Sequence, residues 1–509
     1  MTPIKTIDLT SHLVVLGSGL TAASVIEVFN EAEKKFAIID AGFTEKNNAS
    51  SEELKIFSKK FTSPKLASKN ESFAYSGFQD SHKIIEKNFS SIGSLATGGL
   101  SNIWGAGIHH YNMEEVANIF PSISSNHLAV AYQRVHKLVQ ENPNLQFDSV
   151  QSLEKVYPEI ELNSACEKLY KNQNLDVSSI KFNLPINAIK RNQKNILTNN
   201  QDSWMGDFKN LTTFNSKISL SQMKKNNNNL CISNTLINSI SMKDEIYIIK
   251  CTDLRTSEKF QIKAKNIFCC LGVLATSKIV LEMKQKFDFQ LPLLNTPGAG
   301  FISLCFARNY KPGNLGLNNL TFEFKTKGEF ITGGFFPMTQ NLFSKVSKEW
   351  LLPRIIKTLL YKLIFSRLII SNVFFPSTYS NNSISLSKKN ILSIIGKNQL
   401  GKIRSVYTEI LNELSPSLKK EKIIILPFFR KILRPGEDIH YAGTLPNNEF
   451  LDTNISCDKM GQLKNCKDFY ICDSSSMNYL SGKPHSFNAM VNATIIAMTF
   501  LDSQKDHNP

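Results

Sequence analysis

The sequence predicts an α/β fold, and three observations carry the prediction: a strand, glycine-rich turn and helix near the N-terminus, a second strand ending in an acid, and short apolar strands recurring far along the chain. Leu13-Val-Val-Leu16 is the first apolar run. Gly17-Ser18-Gly19-Leu20-Thr21-Ala22 follows at once, and a helical pattern continues through Val25, Ile26, Val28 and Phe29. Phe36-Ala-Ile-Ile39 then runs into Asp40-Ala41-Gly42, roughly 20 residues beyond the glycines, as a dinucleotide-binding βαβ unit requires. Gly17 allows the tight turn, Gly19 admits a pyrophosphate to the N–H groups at the helix N-terminus, and the small Ala22 lets helix and strand pack closely. Ser18, Leu20 and Thr21 complete the phosphate-binding turn. Asp40, followed by Ala41, is placed to accept hydrogen bonds from ribose hydroxyls.

At 509 residues the chain exceeds one simple core, so two domains, interleaved in sequence, are expected. An apolar content of 42%, with 10% aromatic residues, excludes a disordered chain. Residues 1–12 are largely polar and lead straight into the first strand, unlike a secretory signal. The nine cysteines form no C-x-x-C pair, and Cys269-Cys270 sits in an apolar run. A cytoplasmic, reduced protein without disulfide framework or metal site is expected. The net charge of +16 is spread along the chain among asparagine and isoleucine, without a recognisable nucleic-acid module. Nucleic acid is therefore not the expected partner. An anionic membrane surface or an anionic substrate suits the charge better.

Three further stretches carry chemistry. Leu95-Ala-Thr97-Gly98-Gly99-Leu100-Ser101-Asn102-Ile103-Trp104-Gly105-Ala106-Gly107 places four glycines around a tryptophan, a poor helix or strand but a good backbone surface for a flat ring. Residues 264–277 read as a buried strand turning through Gly272 into a helix, after a hairpin built on Ile237 and Ile240 and on Ile246, Ile248 and Ile249. Near the C-terminus, His440-Tyr-Ala-Gly443-Thr444 precedes the apolar strand that ends in Asp473-Ser474. Ser481-Gly482-Lys-Pro484-His485-Ser486 comes next and opens an apolar helix. Histidine titrates near neutral pH, so two imidazoles at strand and helix ends are candidate acid–base groups.

Taken in order, Gly17-x-Gly19, Asp40-Ala-Gly42, Gly98-Gly99-x-Ser101-x-x-Trp104-Gly105, Gly272 with Ala275-Thr276, His440-x-x-Gly443-Thr444, Asp473 and His485 resemble the glucose-methanol-choline oxidoreductases. The Gly-Gly-Leu-Ser-Asn-Ile-Trp loop is most similar to the pyranose oxidase and glucoside dehydrogenase branch. The resemblance implies a Rossmann-like FAD-binding domain with an interleaved, sheet-based substrate domain. The FAD domain would comprise 1–120, 231–299 and 436–509, with a substrate domain at 300–435 and a variable cap or substrate-side segment at 121–230. It also implies transfer of a hydride from a CH–OH group of a sugar or other alcohol to flavin N5, with His440 as general base and His485 hydrogen-bonded to the developing alkoxide. The FAD would be held by Gly17 to Thr21, Asp40, Ala41, Gly98, Gly99, Ser101, Asn102, Trp104, Gly105, Ile237, Gly272, Asp473, Ser474 and Ser486. Ile103 falls where pyranose oxidases carry the histidine linked to their flavin, so noncovalent FAD is expected.

The chain departs from the family at Leu445-Pro446-Asn447, where Arg-Met-Gly or similar is common, and at Asp40, where glutamate is usual. The substrate, glycan- or lipid-linked forms included, and the electron acceptor, whether oxygen, quinone, cytochrome or dye, are not implied. Family lyases that bind FAD without redox use, and a noncatalytic flavin-binding protein, are the alternatives. Residues 120–230 match no motif, and Lys224 to Asn229 read as a hairpin or loop.

Between Gly300 and Pro435 the runs 320–324, 331–336, 368–375 and 383–387 read as strands, and 351–366 and 403–414 as helices. The 351–366 helix is amphipathic, with Arg354, Lys357, Thr358, Tyr361 and Lys362 on one stripe and Leu352, Ile355, Ile356, Leu359 and Leu363 among those opposite. It suits either core packing or peripheral contact with an anionic membrane. It is too short and too charged to span one. His109 and His110, adjacent in sequence, point different ways if they lie in a strand and are assigned no role.

Overall fold

The computed structural model describes residues 4–42, 74, 77–119, 123–142, 144, 162–173, 179–189, 213–223, 229–313, 316–347, 350–447 and 455–506. The apolar runs read from the sequence assemble into a five-stranded parallel sheet, ordered Phe469–Ile471, Asn266–Cys269, Leu13–Leu16, Phe36–Ile39 and Leu230–Ile232. The three strands from Asn266 to Ile39 are buried almost throughout, which explains their uninterrupted apolar sequences. The helices Leu20–Glu31 and Ser486–Asp506 pack against one another, joining the two ends of the chain. Phe29 and Phe500 each meet the ring of Phe268 edge-on, at centroid distances of 4.8 and 5.1 Å. Burying each such ring stabilises the fold by roughly 1.5–3 kcal/mol.

The predicted hairpin is present as Thr235–Lys243 and Ile246–Asp253, and Lys259–Ala264 and Thr6–Asp8 extend it to four strands. A larger antiparallel sheet of seven strands contains Gly298–Cys305, Leu368–Phe374, Glu329–Pro337 and Leu320–Thr326 at its centre. One face of it is covered by Leu400–Lys420, whose Ile403, Ile410 and Leu414 meet Phe301, Ile369 and Phe335 in one core. Another five-stranded sheet joins these layers, ordered Tyr441–Ala442, Leu291–Asn295, Asn382–Leu386, Leu392–Ile395 and Ile84–Lys87. The fold is thus α/β, a Rossmann-like parallel sheet and a large antiparallel sheet built from alternating segments of the chain.

The helix read over 351–366 is shorter, Arg354–Leu363, because Pro353 caps its start and leaves Leu351 and Leu352 as exposed coil. No residue from Arg354 to Leu363 is fully buried, but Leu360 and Tyr361 pack against the small cluster of Met338, Leu342, Phe343 and Leu368. Among the described residues no helix is long and apolar enough to cross a membrane. Of the proposed loop at Lys224 to Asn229, all but Asn229 lies outside the described residues.

Candidate active site

The site lies where the parallel strands end. Leu13–Leu16 delivers Gly17, whose φ of +94° and whose contact with the neighbouring strand exclude a side chain: a Cβ there would stand 2.6 Å from the Cys270 carbonyl oxygen. Gly19 caps the helix, and a Cβ there would meet nothing within 4 Å. It faces a cleft, as does Gly272, whose φ is +82° and whose Cβ position is equally open.

One continuous lining runs from Asp40 and Ala41, past Gly17, Ser18, Gly19, Leu20 and Thr21, to His485 and Ser486. Gly99, Ser101, Ile237, Gly272, Asp473 and Ser474 complete the predicted residues in its walls. Asp40 is buried and accepts a 2.8 Å hydrogen bond from the Ser18 hydroxyl. Burial pushes its carboxyl up to about 6, against the pull of hydrogen bonds from Ser18 and the backbone at Gly42. Ser18 in turn accepts from the Gly98 N–H at 2.9 Å, so the acid, the phosphate turn and the glycine loop form one hydrogen-bonded unit.

Gly98, Asn102, Trp104 and Gly105 do not line the cleft; three of them visibly brace its loop or the core behind it. Gly98 takes φ +87° and opens the turn Gly99–Asn102. The Asn102 side-chain amide donates to the carbonyls of Thr97 and Gly99, at 3.0 and 2.7 Å. Trp104 is buried, its indole N–H donating to the Phe214 carbonyl at 2.9 Å. Two buttresses come from the stretch in which no motif was legible. The Ser216 hydroxyl donates to the carbonyls of Ser18 or Gly98, at 2.9 and 3.0 Å, and Asn215 bonds Asn102 at 3.1 Å.

Asp473 fastens the other wall. Its Oδ2 accepts from the Gly272 N–H at 2.9 Å and the Thr276 hydroxyl at 2.5 Å, and its Oδ1 from the Ser475 N–H at 2.9 Å. Both oxygens are thus engaged in tying two strand ends to the start of the helix Val273–Met283. A carboxylate so occupied is suited to shaping a site rather than to exchanging protons.

The two predicted histidines meet. Their rings stand edge-to-face with centroids 5.1 Å apart; His485 is in the cleft wall, while His440 is flanked by two wall residues, Ile439 and Tyr441. Ile439 takes φ +61°, a left-handed conformation rare for a β-branched side chain, in the turn that presents His440. Burial holds both imidazoles below the usual histidine range, His485 down to about 4 and His440 well below 6.5, with His485 and His109 beside His440 opposing its charge as well. His485 is buried and its Nδ1 has no hydrogen-bond partner among the described residues, so a polar group of a ligand would satisfy it.

Thr296 was not legible as a site residue. Its hydroxyl lies 2.6 Å from His440 Nδ1 and donates to Asp438 Oδ2 at 3.4 Å. A hydroxyl has one proton; given to Asp438, it leaves Thr296 to accept Nδ1–H from His440, and the lone pair then sits on Nε2. Asn295 also donates to Asp438 at 3.0 Å. Beneath the His485 turn, Lys483 and Glu115 form a buried ion pair at 2.8 Å, and Ser481 hydrogen-bonds the same carboxylate. Of the adjacent pair without an assigned role, His110 bonds His136 at 2.8 Å, whereas His109 lies near Lys483 and His440.

An open cradle at Gly19 and Gly272, a helix N-terminus without a side-chain cap and a buried acid one strand away fit a dinucleotide, the adenosine end at Asp40 and the reactive end at the histidines. No family model matches the chain, and no curated protein is similar to it in sequence. Solved structures do match in shape. Pyridoxine 4-oxidase from Mesorbium loti superposes with a TM-score of 0.60 over 97% of this chain and 99% of that one, at 12% identity. Formate oxidase superposes with a TM-score of 0.62 over 99% of this chain and 100% of that one, also at 12% identity. The chain therefore has, over nearly its whole length, the fold of these two oxidases.

Proposed function

We propose that the protein is a noncovalent FAD-dependent oxidoreductase of the glucose-methanol-choline type, acting on a CH–OH group of a sugar or other alcohol. The observation that carries the reading is the single cleft lining that begins at the acid after the second strand and ends at His485, beside His440. The likeness in fold to two oxidases supports it. When bound, FAD supplies the hydride acceptor for this chemistry.

The chain's own residues do the rest. His440, neutral at pH 7 because burial opposes its charge, takes the substrate hydroxyl proton at Nε2, the nitrogen left free by the contact with Thr296. His485 keeps one N–H to hydrogen-bond the oxygen as charge grows on it. Removing that proton turns the adjoining C–H into a better hydride donor.

The visible spectrum of the purified protein tests the reading, first alone and then under anaerobic addition of a panel of sugars and alcohols. Flavin bands that bleach with a substrate are expected. A colourless protein would remove the cofactor, and a flavin that none of these compounds reduces would remove the oxidoreductase. Thr296→Val, which keeps the shape and deletes the hydroxyl, is expected to lower kcat about tenfold, the size of one lost hydrogen bond in the transition state. It should also shift the acid limb of the kcat–pH profile; an unmoved limb would reduce Thr296 to packing.

A further inference from the structure

The helix Arg354–Leu363 is mounted with its apolar side outward. The middle of its polar stripe faces the protein, together with Leu360: Lys357 Nζ donates to the Ser347 carbonyl at 2.8 Å, and the Tyr361 hydroxyl donates to the Met338 carbonyl at 3.2 Å. Leu360, Tyr361 and Phe365 pack with Leu342 and Phe343 in a small cluster that includes Ile302 and Ile370. Successive strand residues point to opposite faces, so this is the side of the seven-stranded sheet away from Leu400–Lys420. The opposite flank of the helix, spaced at i, i+4 and i+8, is Ile355, Leu359 and Leu363, exposed by 76, 53 and 63%.

The apolar surface continues beyond the helix. Leu426 belongs to the same small cluster, and the turn Pro427–Phe429 leaves it with Phe428 94% exposed and Phe429 also exposed. Scattered apolar side chains on a surface are ordinary; a helix flank and an aromatic turn rooted in one cluster are not. Basic residues frame them. Between Gln340 and Ile370 the sequence has six lysines and arginines and a single acid, Glu349. Arg354 and Lys362 are exposed on the helix, and Arg430 follows the aromatic turn.

We propose that this face docks on a lipid bilayer bearing anionic headgroups, with Ile355, Leu359, Leu363 and Phe428 entering the headgroup boundary and Arg354, Lys362 and Arg430 meeting the lipid charge. The pattern of an apolar flank with cationic margins is that of an interfacial helix. Basic residues at such a surface are drawn to the anionic headgroups, and the +16 net charge of the chain has the matching sign. The docking face is independent of the redox reading, because its test reads lipid and not turnover.

Sedimentation of the full chain with vesicles decides the matter. Vesicles of phosphatidylcholine mixed with phosphatidylglycerol are expected to carry the protein down, pure phosphatidylcholine vesicles much less, and raised salt is expected to weaken the binding. The double variant Ile355→Glu, Leu359→Glu should lose at least roughly tenfold in partitioning, with an unchanged far-ultraviolet dichroism spectrum, since both side chains are exposed. Failure of the native chain to bind the anionic vesicles would overturn the proposal. So would a dimer in sedimentation equilibrium that the double variant makes monomeric, which would assign the face to a second copy.

Discussion

His440→Ala is expected to leave the protein folded and yellow while lowering kcat by roughly 10²–10⁴-fold, the usual contribution of a positioned general base. The imidazole is half-buried beside the cleft rather than woven into the parallel sheet, so binding of the cofactor should survive its removal. A second signature is expected of the native protein. Because burial and two neighbouring imidazoles hold His440 well below 6.5, it stays unprotonated and competent as a base as pH falls through the range where an exposed histidine would already be charged. The acid limb of kcat/KM should therefore lie well below pH 6.5. Stability behaves differently in that range: the unfolded chain binds a proton to each of these histidines near pH 6.5 and the folded chain does not, so folding weakens as pH falls from there toward about 4, where His485 protonates. Stopped-flow reduction of the flavin as a function of pH separates the two effects, and a variant with native turnover would take His440 out of the reaction.

Lys483→Met is expected to be the most destabilising single change near the site, by about 3–5 kcal/mol, because it leaves the Glu115 carboxylate buried without its cation. Glu323, 3.4 Å from the same ammonium, loses its partner too. Pairing the change with Glu115→Gln should restore much of the loss, since a neutral amide can still bond Ser481 and the Asn112 N–H. Urea unfolding of the two single variants and the double variant measures the coupling. Additive losses would mean that the two side chains do not act as a pair. The same cycle bears on function, because Ser481 and Lys483 shape the turn that ends in His485.

What could be read from the sequence was what backbone geometry imposes locally. Gly17, Gly19 and Gly272 stand at strand ends and helix starts, where the turn itself is a local demand, although the Cys270 carbonyl that closes on Gly17 comes from far along the chain. His440 and His485 stood out because turn residues surround them. Thr296 and Ser216 did not, because their meaning lies in partners 144 and 198 residues away, and a lone threonine or serine in a sequence carries no trace of that distance. Glu115 and Lys483 are hidden for the same reason. The amphipathic helix shows a different limit. Its two stripes were plain from spacing, yet spacing does not say which residues face the protein; the hydrogen bonds of Lys357 and Tyr361 and the packing of Leu360 do.

The meeting of the chain's two ends also fixes when the protein can become itself during synthesis. Leu13–Leu16 is made first of its sheet, its neighbour Asn266–Cys269 follows some 250 residues later, and the helix Ser486–Asp506 that covers Phe29 and Phe268 comes later still. Until Phe500 emerges, the earliest βαβ unit has an uncovered apolar flank, the kind of surface that chaperones hold and that aggregates at high concentration. The cleft has walls at Gly17 and at Ala489, so it is complete only once both segments have been made and have met. Any ligand that binds the cleft then acts on the completed fold by mass action, stabilising whatever fraction has closed.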